Sequence, residues 1–330
     1  MSFKNIGIIG LSGSQKLAKL IAQHLKIKLI DTTISHFADG EILVCPNETV
    51  RHKKIVIIQS ISKPVNENLM ELLVCIDSLK RAYVKEIVTI IPYLAYARQD
   101  RKSRGREPIT AKLIANLLQI AGVNHVVTID VHTEQIQGFY EIPFDSLRLW
   151  SLGVSKFLKI VHTNLALVSP DYGSVKRVRE VSQFIPNASI IILDKKRIRP
   201  NTAEILNILG DTKNKNCLIV DDIIDTAGTI CEAAIALKKN GAKTVNIVAT
   251  HGLFSRDALD RIENLMKQHI IDKIYVTNTI ESVYKIKNKN FKIVDVSSYL
   301  ADVIKIIFSE NQSLSQYANK KNNFINFYKK

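Results

Sequence analysis

Leu218-Ile219-Val220-Asp221-Asp222-Ile223-Ile224-Asp225-Thr226-Ala227-Gly228-Thr229 runs from an apolar, β-branched segment into a helical pattern. Leu218–Val220 reads as a buried strand, and apolar residues then recur at Ile230, Ala233, Ala234 and Leu237, the three- and four-residue spacing of one helix face. The turn between them is built to hold a phosphate. Small residues at Thr226, Ala227, Gly228 and Thr229 let backbone N–H groups approach an anion at the helix N-terminus, and two hydroxyls add donors. Asp221 and Asp222, at the carboxyl end of the strand, can accept hydrogen bonds from sugar hydroxyls. No Gly-Lys-Ser/Thr follows, so this is not a Walker loop. A plain capped helix after a strand would explain some of these residues but not their coincidence.

Outward from this stretch the same rhythm fills the chain. Short apolar runs at Ile6–Gly10, Ile55–Gln59, Ile87–Ile91, Val126–Asp130, Leu165–Ser169, Ile190–Leu193, Val245–Thr250 and Ile274–Val276 read as buried parallel strands. Between them lie helical patterns, among them Leu69, Leu72, Leu73, Ile76 and Leu79, and Ile114, Leu117, Leu118 and Ala121. Gly122 and Gly241 stand where a helix C-cap glycine is expected. Alternating strands and helices imply an α/β fold with open parallel sheets. About ten strands in one twisted sheet would be unusual, so two sheets of roughly five are expected. The seam falls in Ile142–Ser155, where Pro143 and Gly153 interrupt the pattern. The expected organisation is two similar domains, 1–147 and 148–310, with a basic polar tail at 311–330.

The chain has 330 residues, 46% of them hydrophobic and 23% charged, as in an ordinary globular protein. Lys plus Arg outnumber Asp plus Glu by 46 to 31, a formal charge of +15, so anionic partners are expected. Lys320, Lys321, Lys329 and Lys330 contribute part of that excess in an acid-free tail. Cys45, Cys75, Cys217 and Cys231 form no CxxC pair and read as apolar residues of a reducing compartment. The N-terminus lacks the apolar run of a signal peptide, and the stretch Leu113–Ile129 is too interrupted by polar residues to span a membrane. A soluble, cytoplasmic protein is expected. No nucleic-acid module or interleaved aromatic stripe accompanies the basic charge, so small phosphorylated ligands are favoured over nucleic acid.

Further candidate residues follow other strands. Arg98, Gln99 and Arg101 come shortly after Ile87–Ile91, the carboxyl end where open α/β sheets bind ligands, and arginines there suit a triphosphate. His132 and Asp171 follow strands in the same way. Asp194-Lys195-Lys196-Arg197-Ile198-Arg199-Pro200-Asn201 follows Ile190–Leu193 and reads as a cationic connection able to act as a lid.

The Asp221–Thr229 stretch resembles the ribose-phosphate loop of the type I phosphoribosyltransferase fold. That motif alone leaves open a transferase that consumes phosphoribosyl diphosphate. The ordered set Phe37-Ala38-Asp39-Gly40-Glu41, Tyr96–Lys102, Asp130-Val131-His132, Gln135–Phe139 and Ser169-Pro170-Asp171 resembles the ribose-phosphate diphosphokinase family, from about Ile6 to Ser315. The resemblance implies transfer of a diphosphoryl group from Mg2+-ATP to ribose 5-phosphate. It implies that Phe37, Asp39, Gly40, Glu41, Arg98, Gln99 and Arg101 bind ATP, the hairpin group completing a neighbouring subunit's adenine pocket. It makes Lys195 and Arg197 catalytic and gives Asp221, Asp222, Asp225, Thr226, Ala227, Gly228 and Thr229, with Arg197, to ribose 5-phosphate. His132 and Asp171 become metal contacts, and Arg51, Arg104, Ser313 and Ser315 belong to a region of allosteric control. A hexamer built from dimers is implied, with no membrane or nucleic-acid partner. The chain departs from the family pattern at Ser174, where a second glycine is usual, at Gly105, where serine is common, and at Ile198, where proline is common. Both catalytic cations are present, which argues against a silent regulatory relative.

Overall fold

The computed structural model describes residues 5–161, 163–185, 187–199 and 202–322, and leaves aside the side chains of 195–199, 202–206 and 319–322. Two compact units emerge. Unit 1 runs to Arg148 and adds Thr279–Glu281 and Val296–Leu314; unit 2 comprises Leu149–Asn278, Ser282–Asp295 and the described residues from Ser315. Residues 296–314 thus pack with the first unit, although most of them fall inside the sequence interval 148–310.

Unit 1 contains β1 (Ile6–Gly10), α1 (Gln15–Leu25), β2 (Thr32–His36), β3 (Ile42–Pro46), β4 (Lys54–Ile58), α2 (Val65–Arg81), β5 (Glu86–Ile91), α3 (Thr110–Ala121), β6 (His125–Ile129) and β7 (Phe144–Leu147). Its five-stranded sheet has the order β1-β4-β5-β6-β7 with every pairing parallel. Ile55–Ile58 and Ile87–Ile91 are buried, as β-branched runs covered by helices on both faces must be. Apart from this sheet, β2 and β3 form an antiparallel hairpin.

In unit 2, α4 (Trp150–Leu158), β8 (Leu165–Ser169), α5 (Val175–Ser182), β9 (Ser189–Arg199), β10 (Thr202–Leu209), β11 (Asn216–Ile224), α6 (Gly228–Lys239), β12 (Thr244–Gly252), α7 (Ala258–Lys267), β13 (Lys273–Thr277) and β14 (Phe291–Val294) follow in order. The seven-stranded sheet runs β10-β9-β8-β11-β12-β13-β14, parallel throughout except that β10 is antiparallel to β9. Trp150, Phe157, Leu167, Leu218, Val248 and Tyr275 build one core cluster on it. Then α8 (Ser297–Ile307) returns to pack on α1 in unit 1, and α9 (Leu314–Asn322) follows. Gly122 ends α3 at φ 118°, a left-handed cap whose N–H bonds Leu118 and Gln119 carbonyls, as its position in the sequence indicates.

Two sequence expectations need correction. The strands divide as five, seven and a separate pair: one sheet has the five expected, the other reaches seven because β10 and β14 extend it at its edges, and β2 and β3 pair apart from both. Asp194–Arg199 is not a connecting loop but the continuation of β9, which returns as β10; Pro200 and Asn201 lie outside the described residues. The segment from 311 is helical over Leu314–Asn322, and residues 323–330, with Lys329 and Lys330, lie outside the description.

Candidate active site

In unit 2, β11 sits between β8 and β12, with Ile219 beside Val168 and Val220 beside Val248, so its apolar half is fixed and Asp221 and Asp222 emerge beyond it. Asp222 is buried, and Asp221 is only 14% exposed at its side chain. Arg177 of α5 reaches both: its Nη1 lies 3.0 Å from Asp221 Oδ1 and 3.2 Å from Asp222 Oδ1. The Ser174 hydroxyl donates to the same Asp221 oxygen at 3.2 Å, and the Asp222 N–H at 2.9 Å. Burial, then the adjacent Asp222 carboxylate, push the Asp221 carboxyl well above its ordinary range, and Arg177 opposes the shift. Asp171 stands where β8 gives way to α5 and accepts the Ser174 N–H on Oδ1 at 3.0 Å, which fixes the residue preceding that helix.

Past β11 the chain turns sharply. Ala227 takes a left-handed conformation, φ 61°, immediately before α6. The turn is anchored from behind: the Leu253 N–H donates to Ile224 O at 2.9 Å, and the Ser255 N–H to Asp225 O at 3.0 Å. The first-turn N–H groups of α6, from Gly228 onward, have no intrahelical acceptor and face the carboxyl end of the sheet with the positive end of the helix dipole. Asp225, Thr226, Ala227, Gly228 and Thr229 therefore form one turn next to the Asp221–Asp222 pair. Such a turn can hold a phosphate and the acid pair a sugar. Lys195 and Arg197 are opposite Ile205 and Ala203 in the β9–β10 register; their side chains lie outside the description.

In unit 1, Phe37, Asp39, Gly40 and Glu41 form the tip of the β2–β3 hairpin. The Phe37 N–H bonds Glu41 O at 2.8 Å, and Asp39 Oδ1 accepts the Glu41 N–H at 3.1 Å. Phe37 is 55% exposed, so it is not core packing. Arg98, Gln99 and Arg101 occupy an exposed loop after β5. Gln99 is pinned by its N–H to Tyr96 O at 2.9 Å and by Thr110 Oγ1 to its Oε1 at 2.6 Å. The Thr133 hydroxyl donates to Asp100 at 2.9 Å, which ties the Arg98–Arg101 loop to the loop carrying the exposed His132. Arg51 lies over the Tyr83 ring at 5.7 Å, Arg104 is held through its N–H to Glu107 Oε2 at 3.0 Å, and Ser313 and Ser315 flank the start of α9. These four stand on three separate segments.

Among the described residues no three His, Cys, Asp or Glu side chains converge as a metal centre. A magnesium ion is usually held by one or two carboxylates plus substrate phosphates. Asp171 offers such a carboxylate; His132 is the less suitable donor.

Arg177 escaped the sequence reading because Val175–Ser182 resembles the solvated face of an amphipathic helix. Its one signal was position: a cation six residues beyond Asp171, on the helix leading from that strand.

An acid pair in the carboxyl-terminal half of β11, which pairs on to Ile224, a small-residue turn opening a helix, and sheets of mainly parallel strands define a type I phosphoribosyltransferase-like α/β enzyme. Residues 6–122 match the N-terminal domain of ribose phosphate pyrophosphokinase, and residues 180–318 the phosphoribosyl synthetase-associated domain. The chain is 46% identical to the ribose-phosphate pyrophosphokinase of Ureaplasma parvum over 331 residues, 99% of this chain and 98% of that one. It is 46% identical to that of Thermotoga maritima over 308 residues, 92% and 96% of the two chains. A solved structure of phosphoribosylpyrophosphate synthetase from Mycobacterium smegmatis superposes with a TM-score of 0.86 at 35% identity, covering 92% of this chain and 99% of that one. The chain belongs to the ribose-phosphate pyrophosphokinase family. No described helix is long and apolar enough to cross a membrane.

Proposed function

We infer that the protein transfers the β,γ-diphosphoryl group of ATP to the 1-hydroxyl of ribose 5-phosphate, giving phosphoribosyl diphosphate and AMP. Full-length similarity to ribose-phosphate pyrophosphokinases supports the reaction, and the observation that carries the residue assignment is the Asp221–Asp222 pair beside the Asp225–Thr229 turn. The turn takes the 5-phosphate on its N–H groups and hydroxyls, and the two acids take the 2- and 3-hydroxyls. Arg98, Gln99 and Arg101 hold the triphosphate; Phe37 stacks on the adenine, while Asp39, Gly40 and Glu41 shape its pocket.

The ribose 1-oxygen forms a bond to the β-phosphorus as the bond from that phosphorus to the α,β-bridging oxygen breaks; the electron pair leaves with AMP, and the proton of the 1-hydroxyl is released to water. There is little covalent chemistry for the protein to perform beyond positioning and charge stabilisation. Lys195 and Arg197 supply cations where negative charge grows on the departing oxygen. Magnesium, when bound, neutralises the triphosphate, and Asp171 and His132 are the residues offered to hold it.

Self-association is part of this reading. Phe37 is exposed on a hairpin tip, and α3 carries a second apolar stripe, Leu113, Leu117 and Ile120, on its exposed side. Both are better covered by another copy than by water. An enzyme drawing on ATP and a sugar phosphate, with all four cysteines free, belongs in the cytoplasm. Arg51, Arg104, Ser313 and Ser315 remain the residues for control by phosphate and ADP.

The test is direct. Protein mixed with ribose 5-phosphate, ATP and magnesium should give AMP and phosphoribosyl diphosphate in equal amounts. ADP with ribose diphosphate in their place would indicate ordinary phosphoryl transfer, and no product would reject the activity.

A further inference from the structure

We propose that Ser174 and Arg177, around the first turn of α5, are positioning residues for the sugar: they fill one oxygen of Asp221 with donors and so present its other oxygen to a ribose hydroxyl. The inference rests on the reading of Asp221 and Asp222 as sugar-hydroxyl acceptors.

Three donors converge on Asp221 Oδ1: the Asp222 N–H at 2.9 Å, Arg177 Nη1 at 3.0 Å and Ser174 Oγ at 3.2 Å. Among the described residues no donor reaches Oδ2. An ionised carboxylate offers about four lone-pair sites, so the acceptor capacity that remains is concentrated on the second oxygen. The donors are themselves fixed. Asp171 Oδ1 accepts the Ser174 N–H, and the Ser169 hydroxyl donates to Asp171 O at 2.6 Å, which ties the start of α5 to the end of β8.

Arg177 adds a second constraint, because the same Nη1 also reaches Asp222 Oδ1 at 3.2 Å. Adjacent carboxylates repel, and without a shared cation they turn apart, which disperses the paired acceptors. One guanidinium therefore sets the spacing of the pair before the sugar arrives, so the ligand does not have to order it.

The test uses the full-length protein and three variants, Ser174→Ala, Arg177→Gln and Arg177→Lys. Binding of ribose 5-phosphate and of its 2-deoxy and 3-deoxy analogues is measured by calorimetry, alongside steady-state kinetics. Ser174→Ala should weaken ribose 5-phosphate binding by ~3- to 10-fold, one donor to a charged acceptor. Arg177→Gln should weaken it by ~100-fold, and Arg177→Lys should recover part of the loss. In each the Michaelis constant for the sugar rises while turnover and the ATP constant hold. The penalty for removing a sugar hydroxyl should shrink in parallel.

If the parent protein discriminates against the deoxy sugars and Ser174→Ala and Arg177→Lys discriminate equally well with unchanged sugar affinity, the positioning role is overturned while the sugar-acceptor reading stands. Equal rises in both Michaelis constants would mark a merely structural role and also overturn it. A parent that binds all three sugars alike overturns the acceptor reading and this inference with it. If Arg177→Gln does not fold, the other two variants decide.

Discussion

Gly228→Ala separates ligand binding from folding unusually well. A Cβ built at Gly228 meets no atom within 4 Å, and the residue does not use a positive φ. The protein itself therefore has no reason to resist the methyl group. At the first position of α6 alanine is the better helix former, and it restricts the unfolded chain, so stability should rise by about 0.4–1 kcal/mol. Any cost must come from what approaches that space. If the 5-phosphate of ribose docks on the first-turn N–H groups, the methyl group holds it off at least one charge-assisted hydrogen bond, about 1.5–3 kcal/mol. That corresponds to about a 10- to 100-fold weaker dissociation constant. Calorimetric titration with ribose 5-phosphate should show this loss, titration with ATP should not, and thermal melting should show an unchanged or higher midpoint. Gly105→Ala, where a Cβ also meets nothing within 4 Å, is the matched control and should leave sugar binding intact. Unchanged ribose 5-phosphate affinity in Gly228→Ala, with a normal melt, would refute the placement of the phosphate.

Lys195→Ala should lower turnover by about a thousandfold, ~4 kcal/mol in the barrier, with both substrate affinities nearly unchanged; a raised ATP Michaelis constant at full turnover would make Lys195 a ground-state binder. The Tyr275 hydroxyl is buried without a hydrogen-bond partner among the described residues, so Tyr275→Phe should stabilise the protein by ~1 kcal/mol in denaturant unfolding, and a loss of stability would count against an orphaned hydroxyl. Cys45 is exposed, whereas burial pushes the Cys75 thiol up to about 12 and those of Cys217 and Cys231 to about 11. Iodoacetamide at pH 8 should therefore give one adduct per folded chain by mass spectrometry, at Cys45.

The legible parts of the sequence were those where burial imposes a pattern. β4, β5, β8 and β11 are covered on both faces, and their apolar runs announce them. So does the Asp221–Thr229 turn, where a strand end, small residues and a helix start coincide. The β9–β10 extension was not legible: Lys195, Lys196, Arg197 and Arg199 interrupt the apolar run and read as a loop, yet the backbone pairs on through them to Thr202. A two-stranded ribbon beyond the sheet needs no buried face, so hydrophobic periodicity cannot reveal it. The β2–β3 hairpin is a different case: β3 is apolar and buries Val44, but it pairs only with β2, apart from the sheet. Phe37 was reached only through the family resemblance, since one aromatic residue leaves no pattern of its own; it stands 55% exposed at the hairpin tip. Arg177 shows the converse limit: its partners lie 44 and 45 residues away, and pairing over that distance leaves no local trace.

The return of the chain to unit 1 has a practical corollary for dissecting the protein. α8 contributes the buried Leu300, Val303 and Ile304, and its Ser297 lies 3.1 Å from His24 of α1, although the gene encodes the two helices at opposite ends. A fragment ending after residue 148 would lack this helix and expose the face of α1 it covers, so it should be poorly soluble, whereas the same fragment with residues 296–314 grafted through a linker should behave. Nor are the two halves interchangeable cassettes. A chimera that takes its first half from one relative and its second from another imports a foreign α8 against a resident α1, and the crossover is tolerated only where both parents agree on that seam.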